Sequence, residues 1–564
     1  MHAHVIELFD RAGTASKFEP VKTGPWSHLP ERTEAIALFN IVMMQTHPFL
    51  QFLYPVTLWN VLETSYKALG SRYVEPAAGD LALCHIVLAL GWTLDVSKHR
   101  SHGCDWAISK ASEHYTWSCQ LLDLTEIDGL IRLQAILCTI AFLISQSRLS
   151  SAYNYISVAA TSAIKQGLHI PAETVTPSDK IQISMQILTT LVSIDLYVST
   201  VLGLPSLIKF DTAGITLKTA REPGSFGQVK SQGYFETQNV RHSLQAVSSD
   251  FSRKYCQIVS MAASVTCDLS ALSTGSSQGR AAMIEVDAAL LRSAERDLTI
   301  WTRGIGIALP PSVPDSDDVP VRASVTKHEL ELSIYWAQLL LYLPFLRYLR
   351  PLADGQSIPG SLSRPALTCL KVAVNTIVCC ENLLLTLSYT EAYRHFMHPS
   401  NWTCIYTIFL AVVALIFLIS IHEGTSKPSE AWRKAETGIK ILAALRCHSG
   451  GASRCLAIIQ ELVRQLNYTV DFDIEQIERT TPKVCQRWTD RDDHATATDA
   501  SFGRVPEGAS SSFIESRDVQ MSSENQHFGP GLAEAGMMSS ADAMLATAQH
   551  IHTTNDRVVN GSIE

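Results

Sequence analysis

The residues best placed to do chemistry together are His99, His102 and Cys104, which fall within six positions in the segment KHRSHGCDW. Imidazole and thiolate groups are the ligands that zinc prefers. A zinc site usually draws on four protein ligands with a second spaced pair, and no such pair is present in the sequence. We therefore predict a polar loop between helices here, with no metal bound.

A second pattern with catalytic associations is Gly275, Ser277 and Gly279, which formally match the G-x-S-x-G motif of serine hydrolases. That motif needs a strand before the serine and a helix packed on the sheet after it. Here it lies in a Gly/Ser-rich stretch between helical segments. We predict a chance match, and we assign no catalytic, cofactor-binding or metal-binding residue in the chain.

His169 stands in SAIKQGLHIP, residues 162–171, directly after a predicted helix. Gly167 occupies the position after the helix where a left-handed backbone is commonly required. Leu168 is the apolar residue expected to fold back on the last turn, and Pro171 blocks continuation. The stretch is thus explained as a helix stop, and His169 needs no ligand.

Composition and charge restrict the class of protein. The chain of 564 residues is 46% hydrophobic and 18% charged, which favours a large buried core. Its 13 cysteines include no C-x-x-C pair, and their odd number fits no closed disulfide framework, so a reducing compartment is expected. The net charge of −9 argues against a strong nucleic-acid footprint in this chain.

The elements that must position these residues are helices. Apolar residues recur at helical spacing, and no segment alternates as a half-buried strand does. The sequence predicts an all-α fold with helices at 31–47, 80–95, 105–122, 126–145, 150–166, 178–202, 283–302, 324–350, 363–389, 401–421, 428–446 and 452–467.

The rest of the chain is predicted as loops and tails. Residues 1–29 form an N-terminal extension, residues 30–470 form one helical domain, and loops lie near 219–235, 268–281 and 309–321. Residues 487–564 contain 5 Arg and no Lys against 12 Asp and Glu, and they are poor in aromatic residues. We predict that this polar, acidic tail is disordered.

One segment raises the question of a membrane. Residues 404–421, CIYTIFLAVVALIFLISI, contain 18 uncharged residues, the lower limit for a spanning helix. The flanks lack Lys or Arg anchors. A helix that is apolar all round can also lie at the centre of a large helical domain, and that interpretation is preferred.

Several motifs follow one another in a recognisable order. RLQAILCTIAFLISQSRLSSAYNYISVAATSAIKQGLHIP ends at Gly167, Leu168 and His169, and SIDLYVSTVLGLPSLIKFDTAGI follows it. Together they resemble the fungal-specific transcription factor domain, the helical middle homology region of fungal binuclear zinc-cluster regulators. LFNIVMMQTHPFLQFLYPVTLWNVL, ELELSIYWAQLLLYLPFLRYL and AWRKAETGIKILAALRCHSGGASRCLAIIQEL resemble its other segments, so the likeness covers residues 30–467 in order.

The second of these segments carries the hallmark residues of that domain. The resemblance places Asp195 at the hallmark aspartate, Gly203 and Pro205 at the following G-x-P, and Asp211 in the acidic strip. Two features depart from the family pattern. The basic residues and tryptophan that usually precede the aspartate are missing, and residues 1–80 hold no cysteine from which a binuclear zinc cluster could be built.

The resemblance implies a nuclear transcriptional regulator that controls a metabolic or specialised-metabolite gene set. It implies partners among other regulators or coactivators, with homodimerisation and a small-molecule effector as further expectations. DNA contact is expected only indirectly or through a missing N-terminal segment, and no membrane is expected. Two alternatives remain: a membrane-associated protein anchored by 404–421, and an all-α metabolite-tailoring enzyme using His99, His102 and Cys104.

Overall fold

The structure is a computed structural model, and it describes residues 28–43, 48–50, 52–70, 77–95, 102–124, 127–170, 179–202, 204–208, 291–296, 298–300, 318–349, 360–389, 400–421, 429–446, 449–465 and 474–481. Across these residues every regular element is helical and no strand occurs, so the all-α prediction is confirmed. The predicted loops at 219–235 and 268–281 and the tail at 487–564 lie outside the described residues, as does the N-terminal extension apart from its last two residues.

The helices divide into two groups by what they pack against. The first group comprises α1 (Arg32–Met43), α2 (Pro55–Gly70), α3 (Ala78–Leu94), α4 (Cys104–Leu121), α5 (Leu130–Ser145), α6 (Leu149–Lys165) and α7 (Asp179–Leu202). Helix α3 lies at its centre, against α1, α2, α4 and α5. It is apolar all round because it has neighbours on every side, and its residues from Leu81 to Leu94 are all buried.

The second group comprises α8 (Asp318–Tyr342), α9 (Gly360–Tyr389), α10 (Ser400–Ile421), α11 (Ser429–Leu445), α12 (Gly450–Gln465) and α13 (Ile474–Thr480). Short 3₁₀ segments at Pro48–Leu50 and Leu343–Leu349 accompany the first and second groups, respectively. Residues 291–296 and 298–300, within the predicted helix 283–302, are also helical.

Helix α10 contains the uncharged segment and packs against α8, α9, α11 and α12. Three described stretches, Ile183–Leu202, Ser363–Leu384 and Trp402–Ser420, are long and apolar enough to cross a membrane by length and composition. The third is the most apolar, yet 72% of it is buried inside the protein. Its apolar surface is therefore largely covered by neighbouring helices, as the preferred interpretation of 404–421 requires.

Several predicted boundaries need correction. Helices α2 and α13 were not predicted, and α8 begins at Asp318 inside the predicted loop 309–321. Pro320 is compatible with that start because the first helical turn does not need its N–H. Helix α5 begins at Leu130 rather than near 126, and the Ile127 carbonyl instead accepts hydrogen bonds from Ser162 Oγ (3.1 Å) and Gln166 Nε2 (3.3 Å).

Candidate functional site

The stop after α6 has the geometry that the sequence predicts. Gly167 has a φ of +72°. Its N–H donates to the carbonyl of Ile164 (2.9 Å), and the Leu168 N–H donates to that of Ala163 (3.0 Å). These two bonds define a Schellman motif, with glycine in the left-handed position. His169 is exposed beyond it, and its position is explained by the cap alone.

Helix α6 brings this cap close to the following helix. Its small and apolar residues, Ala152, Ile156, Ala159 and Ala163, are all buried on one face. The helix packs between α5 and α7, and the short side chains allow a close approach of the backbones. Helix α6 is thereby packed along α7, the helix that carries Asp195.

Asp195 is the polar centre of this arrangement. It is fully buried on α7, and one carboxylate oxygen accepts hydrogen bonds from Ser206 Oγ (2.6 Å) and from the Ile208 N–H (2.9 Å). The segment 204–208 turns back after α7, and the Leu204 N–H donates to the Ser199 carbonyl (2.8 Å). Asp195 thus ties the exit segment to the helix that it leaves.

A third element joins from α6. Tyr153 Oη donates to the carbonyl of Pro205 at 2.8 Å. We call Tyr153, Asp195, Pro205, Ser206 and Ile208 the Asp195 clamp. Asp195 and Pro205 therefore lie close together, while Gly203 and Asp211 fall outside the described residues.

The electrostatics of the clamp favour a structural role. Burial raises the pKa of Asp195, while the hydrogen bonds from Ser206, Ile208 and Leu207 lower it in part. Burial also raises the pKa of Tyr153, and the nearby Asp195 carboxylate adds to this. Asp195 belongs to no group of three or more potential metal ligands in the described part of the chain, and its hydrogen bonds to Ser206 and Ile208 tie the exit segment to α7.

Of the other residues singled out in the sequence, the structure describes only His102 and Cys104. His102 stacks on Trp106, with ring centroids 4.3 Å apart, and Cys104 is the first residue of α4. No group of three or more His, Cys, Asp or Glu able to hold a metal occurs in the described part of the chain. His99, Gly275, Ser277 and Gly279 lie outside it.

Sequence reasoning missed one pair of histidines. His85 on α3 and His114 on α4 are both buried, with their Nδ1 atoms 2.9 Å apart. Burial lowers the pKa of His114 to about 3, assisted by the neighbouring His85, Lys110 and His28. The available signal was His85 itself, a histidine inside the apolar run LALCHIVLAL.

The proteins similar to this chain over most of its length are fungal transcriptional regulators. One is Activator of stress genes 1 of Saccharomyces cerevisiae, 24% identical over 450 residues that make up 78% of this chain and 44% of the relative. Another is Activator of stress genes protein 1 of Candida albicans, 21% identical over 504 residues, or 82% of this chain and 49% of the relative. A putative transcriptional regulatory protein of S. cerevisiae is 22% identical over 499 residues, which make up 81% of this chain and 61% of the relative.

The chain spans about half the length of the curated relatives it matches. No family model matches the sequence, and no solved structure matches it. The relatives support a transcription regulator, and their names indicate regulation rather than catalysis.

Proposed function

We propose that this chain is the regulatory part of a fungal transcription factor of the zinc-cluster type. It acts in the nucleus and controls a metabolic or specialised-metabolite gene set. The observation that carries this proposal is that the similarity to fungal regulators extends over most of the chain. In this proposal the helical domain relays regulation through other regulators or coactivators, and DNA is contacted through them or through a zinc cluster on a longer form of the protein.

Homodimerisation and a small-molecule effector belong to the same proposal. Both would bias the arrangement of helices rather than take part in a reaction. Support for a non-catalytic role comes from the names of the relatives and from the Asp195 clamp, whose hydrogen bonds tie three chain segments together.

A tethering experiment tests the proposal. The full chain is fused to an unrelated DNA-binding domain and expressed in a fungal host that carries a reporter with the matching binding site. We expect reporter output to differ from that of the DNA-binding domain alone. The control is the same fusion with a reporter whose binding site is mutated, where no difference is expected.

The outcome also separates the alternatives. Unchanged reporter output together with recovery of the chain in carbonate-washed membranes would support anchoring by 404–421. The enzyme alternative would be supported by a different result. Reporter output would be unchanged, and deletion of the gene would alter a metabolite without altering the transcript levels of other genes.

A further inference from the structure

The two helical groups are each well packed internally. Among the described helices, every pair that packs along a substantial length belongs to a single group: α3 with α4 and α5 in the first, and α9 with α8 and α10 in the second. Named side-chain contacts between the groups gather at two places. Buried residues of both groups belong to one hydrophobic core, and these two places add named aromatic and polar contacts between the groups.

The first place is aromatic and centres on Tyr197 of α7. Its ring lies 5.4 Å from that of Trp336 and 6.4 Å from that of Tyr406, both in the second group. Its hydroxyl donates to the Trp402 carbonyl at 3.2 Å. Tyr197, Trp336 and Tyr406 are all buried, so this cluster is part of the core that the two groups share.

The second place is the turn between α5 and α6. Ser147 has a φ of +56° and is the non-glycine residue with positive φ in the described part of the chain. Its N–H donates to the Ile144 carbonyl and that of Arg148 to the Leu143 carbonyl, both at 2.8 Å. This is the Schellman geometry found at Gly167, and a serine in it is strained where a glycine would not be.

The serine side chain reaches into the second group. Ser147 Oγ lies 3.1 Å from Ser449 Oγ, and the Ser147 carbonyl accepts a hydrogen bond from Arg454 Nη1 at 3.2 Å. Ser449 also accepts the Gly451 N–H (3.2 Å) at the start of α12. A Cβ on Gly451 would overlap Ser147 Oγ and lie 3.2 Å from Tyr406 Oη, so the backbone of α12 meets these side chains without spare room.

We propose that the α5–α6 turn and the start of α12 form a latch, closed by the Ser147–Ser449 contact, whose opening loosens the contact between the two helical groups at this turn. A strained residue persists only where its surroundings hold it, and such strain is often found in segments that switch. When the latch opens, Ser147 is released from its left-handed conformation, and water can replace the hydroxyl and guanidinium contacts. The latch goes beyond the proposed function and does not depend on which genes the chain regulates.

Hydrogen exchange of the full chain tests the latch through four variants: Ser147→Ala, Ser449→Ala, the double variant and Ser147→Gly. Each single alanine variant should raise amide exchange by at least about threefold both at 146–149 and at 450–452, as expected for groups in direct contact. The double variant should exchange no faster than the faster single variant, because both substitutions break the same contact. Ser147→Gly should exchange more slowly than Ser147→Ala, because glycine relieves the strain of the closed state.

The control variant is Ser157→Ala. Its hydroxyl is exposed on α6 and bonds the Asn154 carbonyl at 2.7 Å, so its loss should change neither segment. Three results would each overturn the latch. Ser449→Ala could speed amide exchange at 450–452 but not at 146–149, or the double variant could speed it by the product of the two single effects. The variants could also speed exchange of the α3 amides as much as that of the two segments. The first result would mean that Ser449 only caps α12, and the third would mean that the substitutions cause global unfolding.

Discussion

At the scale of single residues, the cap at Gly167 accounts for the stretch that contains His169. Replacing Gly167 by alanine should destabilise the fold by about 1–2 kcal/mol, because an L residue is strained at positive φ. The added Cβ would meet only Ile170 Cδ1 at 3.6 Å, so the cost is conformational rather than steric. Urea denaturation measures the change in the free energy of unfolding.

His169→Ala is the matched comparison. His169 is exposed, and its replacement should change stability by no more than about 0.5 kcal/mol and leave reporter output unaltered. A loss of reporter output in this variant would contradict the interpretation of His169 as a residue that merely follows a cap.

Because His114 is buried beside His85, we expect the free energy of unfolding to depend on pH. The pKa of His114 is lowered to about 3 in the folded chain, against 6.5 for an unperturbed histidine. Below pH 6.5 the unfolded chain therefore binds a proton that the folded chain does not, and stability falls as pH decreases toward 3. The fall should reach at most about 1.4 kcal/mol per pH unit from this residue.

The measurement is chemical denaturation at pH 7.0 and 5.5, compared with His114→Gln. The variant removes the titrating group, so its stability should change less between the two pH values than that of the unmodified chain. An equal change in both proteins would mean that His114 is protonated to the same extent in the folded and unfolded states.

These residues show what sequence reasoning can and cannot recover. The cap was predictable because Gly167, Leu168 and Pro171 are neighbours in sequence and each has a local conformational role. The histidine pair was not, because residues 85 and 114 meet only through the packing of α3 on α4. The Asp195 clamp lies between these cases, since its motif was visible but its partners, Tyr153 and Ser206, were not.

At the scale of helices, α11 approaches α10 closely at Gly438, and a substitution there tests whether α10 is an interior helix. A Cβ on Gly438 would lie 2.5 Å from Val412 Cγ2 and 3.2 Å from Ile377 Cδ1. Gly438→Ala should therefore destabilise the chain by about 1–3 kcal/mol through overpacking. Thermal or urea unfolding of the purified protein measures it.

Gly450→Ala provides the control, because its Cβ would come no closer than 3.5 Å to Arg454 Nη2 and 4.0 Å to the Gln146 carbonyl. It should alter stability by less than Gly438→Ala. If Gly438→Ala were harmless, the packing of α11 on α10 would be looser than described, and the case for α10 as a membrane anchor would gain strength.

Helix existence was easier to predict than helix boundaries. Long periodic segments such as α5 and α6 were found, whereas α2 and the short α13 were missed. Helix α13 is held by a tertiary contact that no local pattern encodes: Arg446 Nη2 donates to the carbonyls of Glu478 (2.6 Å) and Thr481 (3.4 Å). Weak local signals of this kind become helices because other parts of the chain bind them.

At the scale of the whole molecule, charge governs how this chain meets DNA. The net charge is −9, and several described basic side chains are paired with acids, including Lys110 with Glu113, Lys434 with Glu381 and Arg464 with Glu461. Duplex binding requires clusters of Lys and Arg that displace counterions from phosphates. The described surface thus carries several pairs of opposite charge, and a paired basic group is less available to a phosphate.

We therefore expect the purified chain to give no sequence-specific gel shift at physiological salt, with either random duplexes or promoter fragments. The same chain fused to an unrelated DNA-binding domain should shift that domain's site, which shows that the assay detects DNA binding by a protein that contains this chain. Tight binding by the unfused chain would contradict the prediction. A plot of log affinity against log salt, with a slope of about −0.9 per phosphate contact, would then count the phosphate contacts that the chain makes. The fusion and the unfused chain together separate the proposed regulation by the helical domain from direct contact with DNA.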